Sequence, residues 1–319
     1  MTIPKSVAVI GAGMAGLTAA AHVVQAGVTV TIVDKGRKPG GRMATRIADG
    51  YVFNHGCQFA TARDESFRRR LVAHHAAIWP ATGNKYSGSP SMAALAATLA
   101  TGLSIHQTTH VSFLNREAAK WRLSLRDANT TPPNLIEPQG QCSALFDAVI
   151  LAIPAPQAAA LLAAVAHPFA TPLGHVHLAP CWALMLGFAD APAGPDILKP
   201  TDGPLSWIAR ENSRPGAVPY PVAYTGHASA AWSTQHLEQP AETIIATLSA
   251  AFAQATGITA PATYAHAHRW RYALADKPLG EASLWDPQSG LGVCGDWCLA
   301  GKLEAAYLSG RSLGIKLTT

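Results

Sequence analysis

Val9-Ile10-Gly11-Ala12-Gly13-Met14-Ala15-Gly16-Leu17 carries the spacing G-x-G-x-x-G at residues 11–16, and what stands on either side of it decides the fold. Residues 6–10 before it form a short apolar run that predicts a buried strand. Residues 14–25 read as an Ala-rich helix, and residues 28–34 as a β-branched second strand ending in Asp34. This is a βαβ opening. Gly11 permits the tight turn, Gly13 lets the backbone approach a pyrophosphate, and Gly16 allows helix and strand to pack closely. The first helical turn brings free N–H groups and a positive dipole end to the phosphates, and Asp34 is placed to accept from a ribose hydroxyl.

A second match, Gly290-Leu291-Gly292-Val293-Cys294-Gly295, fails on context. Its glycines precede and enter a strand, and no acid follows at the required distance. One dinucleotide site is therefore expected, with no separate NADPH-binding domain.

The remaining bounds are coarse. The chain has 319 residues, 49% hydrophobic and 13% charged, which describes an ordered α/β protein with a large core. A net charge of +5 is spread along the sequence, with Arg68, Arg69 and Arg70 as its tight run, and gives little support for a nucleic-acid surface. Five scattered cysteines argue against a disulfide framework, and the C-x3-C of Cys294 and Cys298 lacks partners for zinc, so no metal is expected. Three glycines and polar His22 and Gln25 break the apolar N-terminal run, which is read as neither signal peptide nor membrane span; a cytoplasmic protein is expected. Oligomeric state is not legible.

Further along, a loop is expected at 39–41, a strand at 51–55, a helix at 65–78 and another starting at 90–91. Short strands at 104–108, 111–114 and 121–125 suggest a meander, and an Asn/Pro-rich stretch at 129–138 precedes a strand at 146–152 and a helix to 166. Then come an alternating strand at 182–188, a Pro/Gly-rich loop at 191–204, a strand at 222–227, a helix at 242–257 and a strand at 263–270. A strand at 292–296 and a helix at 303–317 close the chain. We expect a Rossmann-like FAD-binding domain (1–62, 90–155 and 290–319) and a second, mixed-sheet substrate domain (63–89 and 156–289). Five of the eight tryptophans (Trp182, Trp207, Trp232, Trp270, Trp285) fall between about 170 and 290, which suits an apolar substrate pocket.

Two distant features favour FAD over NAD. Gly40-Gly41-Arg42 lets backbone and a guanidinium reach an extended cofactor, and Gly295-Asp296 before the 303 helix offers an acid and a helix N-terminus to the flavin end. The expected cofactor contacts are Gly11, Ala12, Gly13, Met14, Ala15, Gly16, Asp34, Lys35, Gly40, Gly41, Arg42, Val111, Ala152, Gly295, Asp296, Leu303 and Glu304. No motif supports covalent attachment, so the FAD is expected to be non-covalent.

The chain resembles the flavin amine-oxidase superfamily and, within it, the bacterial renalases. The resemblance rests on residues 9–17, Gly40-Gly41-Arg42-Met43, residues 56–64, Ala152-Ile153-Pro154-Ala155-Pro156-Gln157 and Trp207-Ile208-Ala209-Arg210, and further on His268-Arg269-Trp270-Arg271-Tyr272 and residues 294–304. It implies an amine-oxidase/p-hydroxybenzoate-hydroxylase-like fold. It also implies an oxidase acting on 2- and 6-dihydro isomers of NAD(P), with hydride passing to flavin N5 and on to O2 as hydrogen peroxide. Such a donor becomes an aromatic pyridinium on losing hydride, so no catalytic base is required and none is assigned. Candidate pocket residues are Gln58, Thr61, Arg63, Trp207, His227, Trp270 and Tyr272. Core packing is the competing reading of His227 and Trp270, and an ion pair with Asp64 that of Arg63. The alternatives are a flavin amine oxidase, for which Lys302 is the lysine near the C-terminal motif, and a redox-sensing flavoprotein without turnover.

Overall fold

The computed structural model describes residues 3–190 and 192–319. Met1, Thr2 and Ala191, where the expected 191–204 loop begins, lie outside the described residues. The chain forms two compact units: Met1–Gly41, Ala96–Leu178 and Ala275–Thr319 make the first, and Arg42–Leu95 and Ala179–Leu274 the second.

The first unit is built on β1 (Ser6–Ile10), α1 (Met14–Gln25), β2 (Thr29–Val33), β3 (Ile105–His106), β4 (Ala148–Leu151), β5 (Leu284–Asp286), β6 (Leu291–Val293) and α2 (Leu303–Thr318). Its six-stranded sheet has the order β5-β6-β4-β1-β2-β3, parallel except for β5 against β6. Val7, Ala8 and Val9 of β1 and all of β4 are buried, as expected of strands covered on both faces. The chain leaves β1 toward β2 on one side and β4 on the other, so the crevice beyond the ends of β1 and β4 is a topological switch point.

Two helices cross there closely. A Cβ at Gly310 of α2 would strike the backbone carbonyl of Ala15 in α1, and one at Gly314 would meet the His22 side chain at 2.8 Å. The contacts advance together along both chains, so α1 and α2 run the same way and present their N-termini at the same end. An antiparallel sheet of Thr109–Glu117, Lys120–Asp127 and Gln141–Phe146 completes this unit, and forms the expected meander.

The second unit holds a five-stranded sheet in the order Ile197–Leu198, Leu205–Arg210, Val222–Ala228, His177–Phe188, Tyr264–Lys277. The alternating Trp182, Leu184, Leu186 and Phe188 pack with Tyr224 against Ile244, Leu248 and Phe252 of the helix Ala241–Thr256. On the opposite face, Met185 and Ala223 meet Tyr51 and Phe53 of the strand Tyr51–Phe53.

Several expected boundaries move. The 65–78 helix stops at Ala73: His75 takes φ 64°, outside the helical region, and Ala76–Trp79 pairs instead with Lys85–Gly88. The 146–152 strand divides around Asp147, whose carboxylate accepts from the amides of Lys5 and Ser6. The 292–296 strand ends at Val293, with Asp296 opening a single tight turn. The strand Leu205–Arg210 and the extension of the 263–270 strand to Lys277 were not expected. Among the described residues, no helix is long and apolar enough to cross a membrane.

Candidate functional site

The glycine turn after β1 is held by its own backbone and one acid. Gly11 takes φ 107° and donates its amide to Val33 O at 2.8 Å. A Cβ there would sit 2.6 Å from Ala152 O, and one at Gly16 would collide with Gly11 O. Gly13 differs: among the described residues, and apart from its own chain neighbours, no atom lies within 4 Å of where its Cβ would be. Gly13 caps α1 without a side-chain hydrogen bond, no acid lies in the first turn, and Met14 and Ala15 are buried. A buried helix N-terminus whose first amides meet no side chain is a ready anion site. The cradle therefore fits a pyrophosphate.

Asp34 has an additional duty. Its Oδ2 accepts from Ala12 N–H and its Oδ1 from Gly36 N–H, both at 2.6 Å, so it ties the turn to the loop after β2. Each oxygen retains acceptor capacity for a sugar hydroxyl. Lys35 is exposed beside it, and Thr109 donates to Asp34 O at 2.9 Å, which anchors the strand bearing buried Val111. Gly40 N–H reaches Ala12 O at 2.8 Å, closing the 36–41 loop onto the turn.

At the far end of the same unit, a Cβ at Gly295 would strike the Trp297 indole, whose N–H is tied to Ile153 O at 3.0 Å. Gly295 N–H donates to Ser309 Oγ of α2 at 2.9 Å, and Asp296 is buried. Leu303 and Glu304 form the first turn of α2, which also lacks a side-chain cap. Arg42 belongs to the second unit, and its Nη1 donates to Ala273 O at 3.0 Å.

The second unit gathers part of the expected pocket into one buried network. Gln58 Oε1 accepts from Arg214 Nη2 at 2.7 Å and from Trp207 Nε1 at 3.1 Å, while its Nε2 donates to the carbonyls of Asn54 and Gly56. Gln58 is thus fully used. His227 Nε2 and Trp270 Nε1 both reach His55 O at 3.0 Å. Thr61 is half-buried, Arg63 is exposed just before the helix Glu65–Ala73, whose cap is Asp64, and Tyr272 lies on the strand that carries Trp270.

Sequence reasoning missed what holds this network. Glu211 and Arg214 form a buried ion pair, Nε to Oε2 at 2.5 Å, with Glu211 also accepting from Asn54 Nδ2 at 2.8 Å and Thr225 Oγ1 at 2.5 Å. Arg214 donates further to Gln58 O at 2.6 Å and lies 4.0 Å above the Trp79 ring. Every charge there is compensated by hydrogen bonds, the condition under which a buried pair is tolerated.

Beside it runs an aromatic wall. Tyr264, His266, His268, Trp270 and Tyr272 share one face of their strand, and His55 stacks on Trp270 at 5.4 Å and meets His268 edge-on at 4.8 Å. Burial pushes the imidazoles of His55, His227 and His268 down to about 4; around His55 and His268, neighbouring histidines and Arg46 push the same way. Unfolded histidine ionises near pH 6.5, so between about pH 6.5 and 4 the unfolded chain binds more protons. Stability is fully present above that window and falls as pH drops through it. The thermal midpoint is expected to fall by ~10 °C from pH 7 to pH 4.5, and by less in His55→Phe, when followed by circular dichroism. A flat midpoint would contradict the buried neutral rings.

A family model described as flavin containing amine oxidoreductase matches residues 66–312, and one for NAD(P)-binding Rossmann-like domains matches residues 9–74. The 4,4'-diapophytoene desaturase (4,4'-diaponeurosporene-forming) of Staphylococcus aureus strain Newman is 48% identical over 50 residues, 16% of this chain. That match spans 10% of the desaturase's own length. Two solved structures cover 98% of this chain and are themselves covered to 98%. One is an Exiguobacterium sp. 255-15 protein assigned as a protoporphyrinogen oxidase (TM-score 0.76, 13% identity), the other a triple mutant of putrescine oxidase (TM-score 0.72, 12% identity). At such identities the likeness is one of fold.

Proposed function

This chain belongs to the flavin-containing amine oxidoreductases, and from that membership we propose that it oxidises 2- and 6-dihydro isomers of NAD(P). The reaction consumes the dihydronicotinamide, a proton and O2, and yields oxidised NAD(P) and hydrogen peroxide. FAD, the cofactor of this fold, supplies the two-electron acceptor and the route to dioxygen when bound at the glycine cradle.

The observation that carries this reading is the charge balance of the second unit. Glu211, its buried carboxylate among the described residues, is filled by Arg214, Asn54 and Thr225. Arg214 directs its charge to Glu211 and Gln58, and the other groups around Gln58, Trp207 and Trp270 are neutral histidines, amides and indoles. An ammonium substrate would find no anion to receive it there, whereas an anionic dinucleotide meets a neutral-to-positive surface.

The residues then divide the work. Gly11, Ala12, Gly13, Met14, Ala15 and Gly16 with Asp34, Lys35, Gly40, Gly41, Val111, Ala152, Gly295, Asp296, Leu303 and Glu304 hold the cofactor in this proposal. The wall of His55, His268 and Trp270, set beside a Gln58 side chain that Arg214 fixes, orients the flat dihydropyridine ring by stacking. Neutral imidazoles matter because a protonated ring would repel the pyridinium product. No side chain removes a proton from carbon, since loss of hydride itself makes the ring aromatic.

Steady-state turnover tests the proposal. With 2- or 6-dihydro NAD(P), oxygen uptake is expected with one peroxide formed per oxidised dinucleotide. Turnover of putrescine or other amines, with none of the dihydro isomers, would overturn it.

A further inference from the structure

Lys85 and Lys199 have no use in the site so far described. Lys85 opens the strand Lys85–Gly88, and its Nζ lies 4.0 Å from the centre of the Phe59 ring. Lys199 directly follows the strand Ile197–Leu198, and its Nζ lies 5.7 Å from the Trp207 ring. The two rings touch, 5.4 Å between centres, and Trp207 and Phe59 pack on buried Trp79 and half-buried Ile197. The ion pairs described in this unit join other residues: Arg68 to Glu65, Arg214 to Glu211, and Arg269 and Arg271 to Glu238. Among the described residues, neither lysine meets a carboxylate.

Two like charges side by side over aromatic faces repel each other, and burial together with Lys199 holds the Lys85 ammonium below the usual lysine range. A polyanion relieves that repulsion, and a planar base complements the rings. Lys85 lies in a short strand and Lys199 directly after one, so little backbone ordering is needed on binding. The same Trp207 whose face lies near Lys199 reaches Gln58 with its indole N–H, which joins the lysines to the network that fixes Gln58.

We propose that Lys85 and Lys199, with the faces of Phe59 and Trp207, form a phosphate-binding site for the nucleotide end of the dinucleotide substrate. The inference rests on the dihydronicotinamide reading above. It adds a subsite that distinguishes a full dinucleotide from a bare nicotinamide ring.

The test uses the flavin-loaded protein with Lys85→Glu, Lys199→Glu and the milder Lys85→Gln and Lys199→Gln. Three quantities are read: flavin content, ADP binding by calorimetry, and kcat/KM for a dihydro dinucleotide relative to the same isomer of a phosphate-free N-alkyl dihydronicotinamide. Flavin content is expected to hold, ADP binding to weaken at least about tenfold in each glutamate variant, and the kcat/KM ratio to fall by a similar factor, more at low salt. Loss of flavin would assign the lysines to the cofactor's own phosphates and overturn the proposal, as would unchanged ADP binding and an unchanged ratio. ADP binding that depends on both lysines in a protein that oxidises no dihydronicotinamide would uphold the phosphate site while refuting the substrate reading.

Discussion

Gly13→Ala is expected to leave the fold intact and to strip the protein of flavin. Gly13 has ordinary extended backbone angles, φ −77° and ψ 178°, and among the described residues no atom beyond its chain neighbours stands within 4 Å of the added methyl. The polypeptide therefore has no need of a glycine there. The space the methyl fills is the one that lets a pyrophosphate approach the first amides of α1. Flavin content, read from visible absorbance, should drop by about ten- to a hundredfold, while the thermal midpoint of the apoprotein moves only a few degrees. Gly16→Ala supplies the contrast: its Cβ collides with Gly11 O, so fold and flavin should be lost together. Normal flavin loading in Gly13→Ala would contradict the assignment of this turn to the phosphates.

Arg214→Ala is expected to be the most damaging single change in the second unit. It leaves the Glu211 carboxylate buried without its cation, removes the donors to Gln58 O and Gln58 Oε1, and opens a void against Trp79. Breaking one side of such a pair costs about 3–5 kcal/mol. Removing both charges together, as in Glu211→Gln with Arg214→Met, should cost less than Arg214→Ala alone, because no uncompensated ion remains. Chemical denaturation of the three proteins measures the difference. A single variant as stable as the parent would show that the ion pair does not hold the Gln58 loop.

The contrast between these two sites explains what was legible in the sequence. The β1-α1-β2 turn could be read because its demands are local: a strand, three glycines at fixed spacing and an acid all lie within residues 6–34. The second glycine match could be rejected for the same reason, and Gly290 does precede β6. Gln58, Trp207 and His227 do meet, and Trp270 joins them through His55 O, although no local pattern links residues so far apart.

Glu211 and Arg214 escaped notice because a buried ion pair three residues apart looks like any charged turn. The strand Leu205–Arg210 that delivers them was itself unrecognised. The strand at 263–270 is legible in the sequence, but the neutrality of its histidines depends on burial by Tyr51, Phe53 and His55 from a distant segment. The helix predicted over 65–78 failed where hairpin pairing of Ala76–Trp79 outweighed local propensity.

The most direct measurement is anaerobic rapid mixing of the flavin-loaded protein with the 2-, 4- and 6-dihydro isomers of NAD(P) and with a panel of amines, following loss of the yellow flavin absorbance. Bleaching by the 2- or 6-dihydro isomers, with release of the oxidised dinucleotide and little response to the 4-dihydro form or to amines, is the expected result. Bleaching by amines alone, or rapid bleaching by the 4-dihydro form, would contradict it.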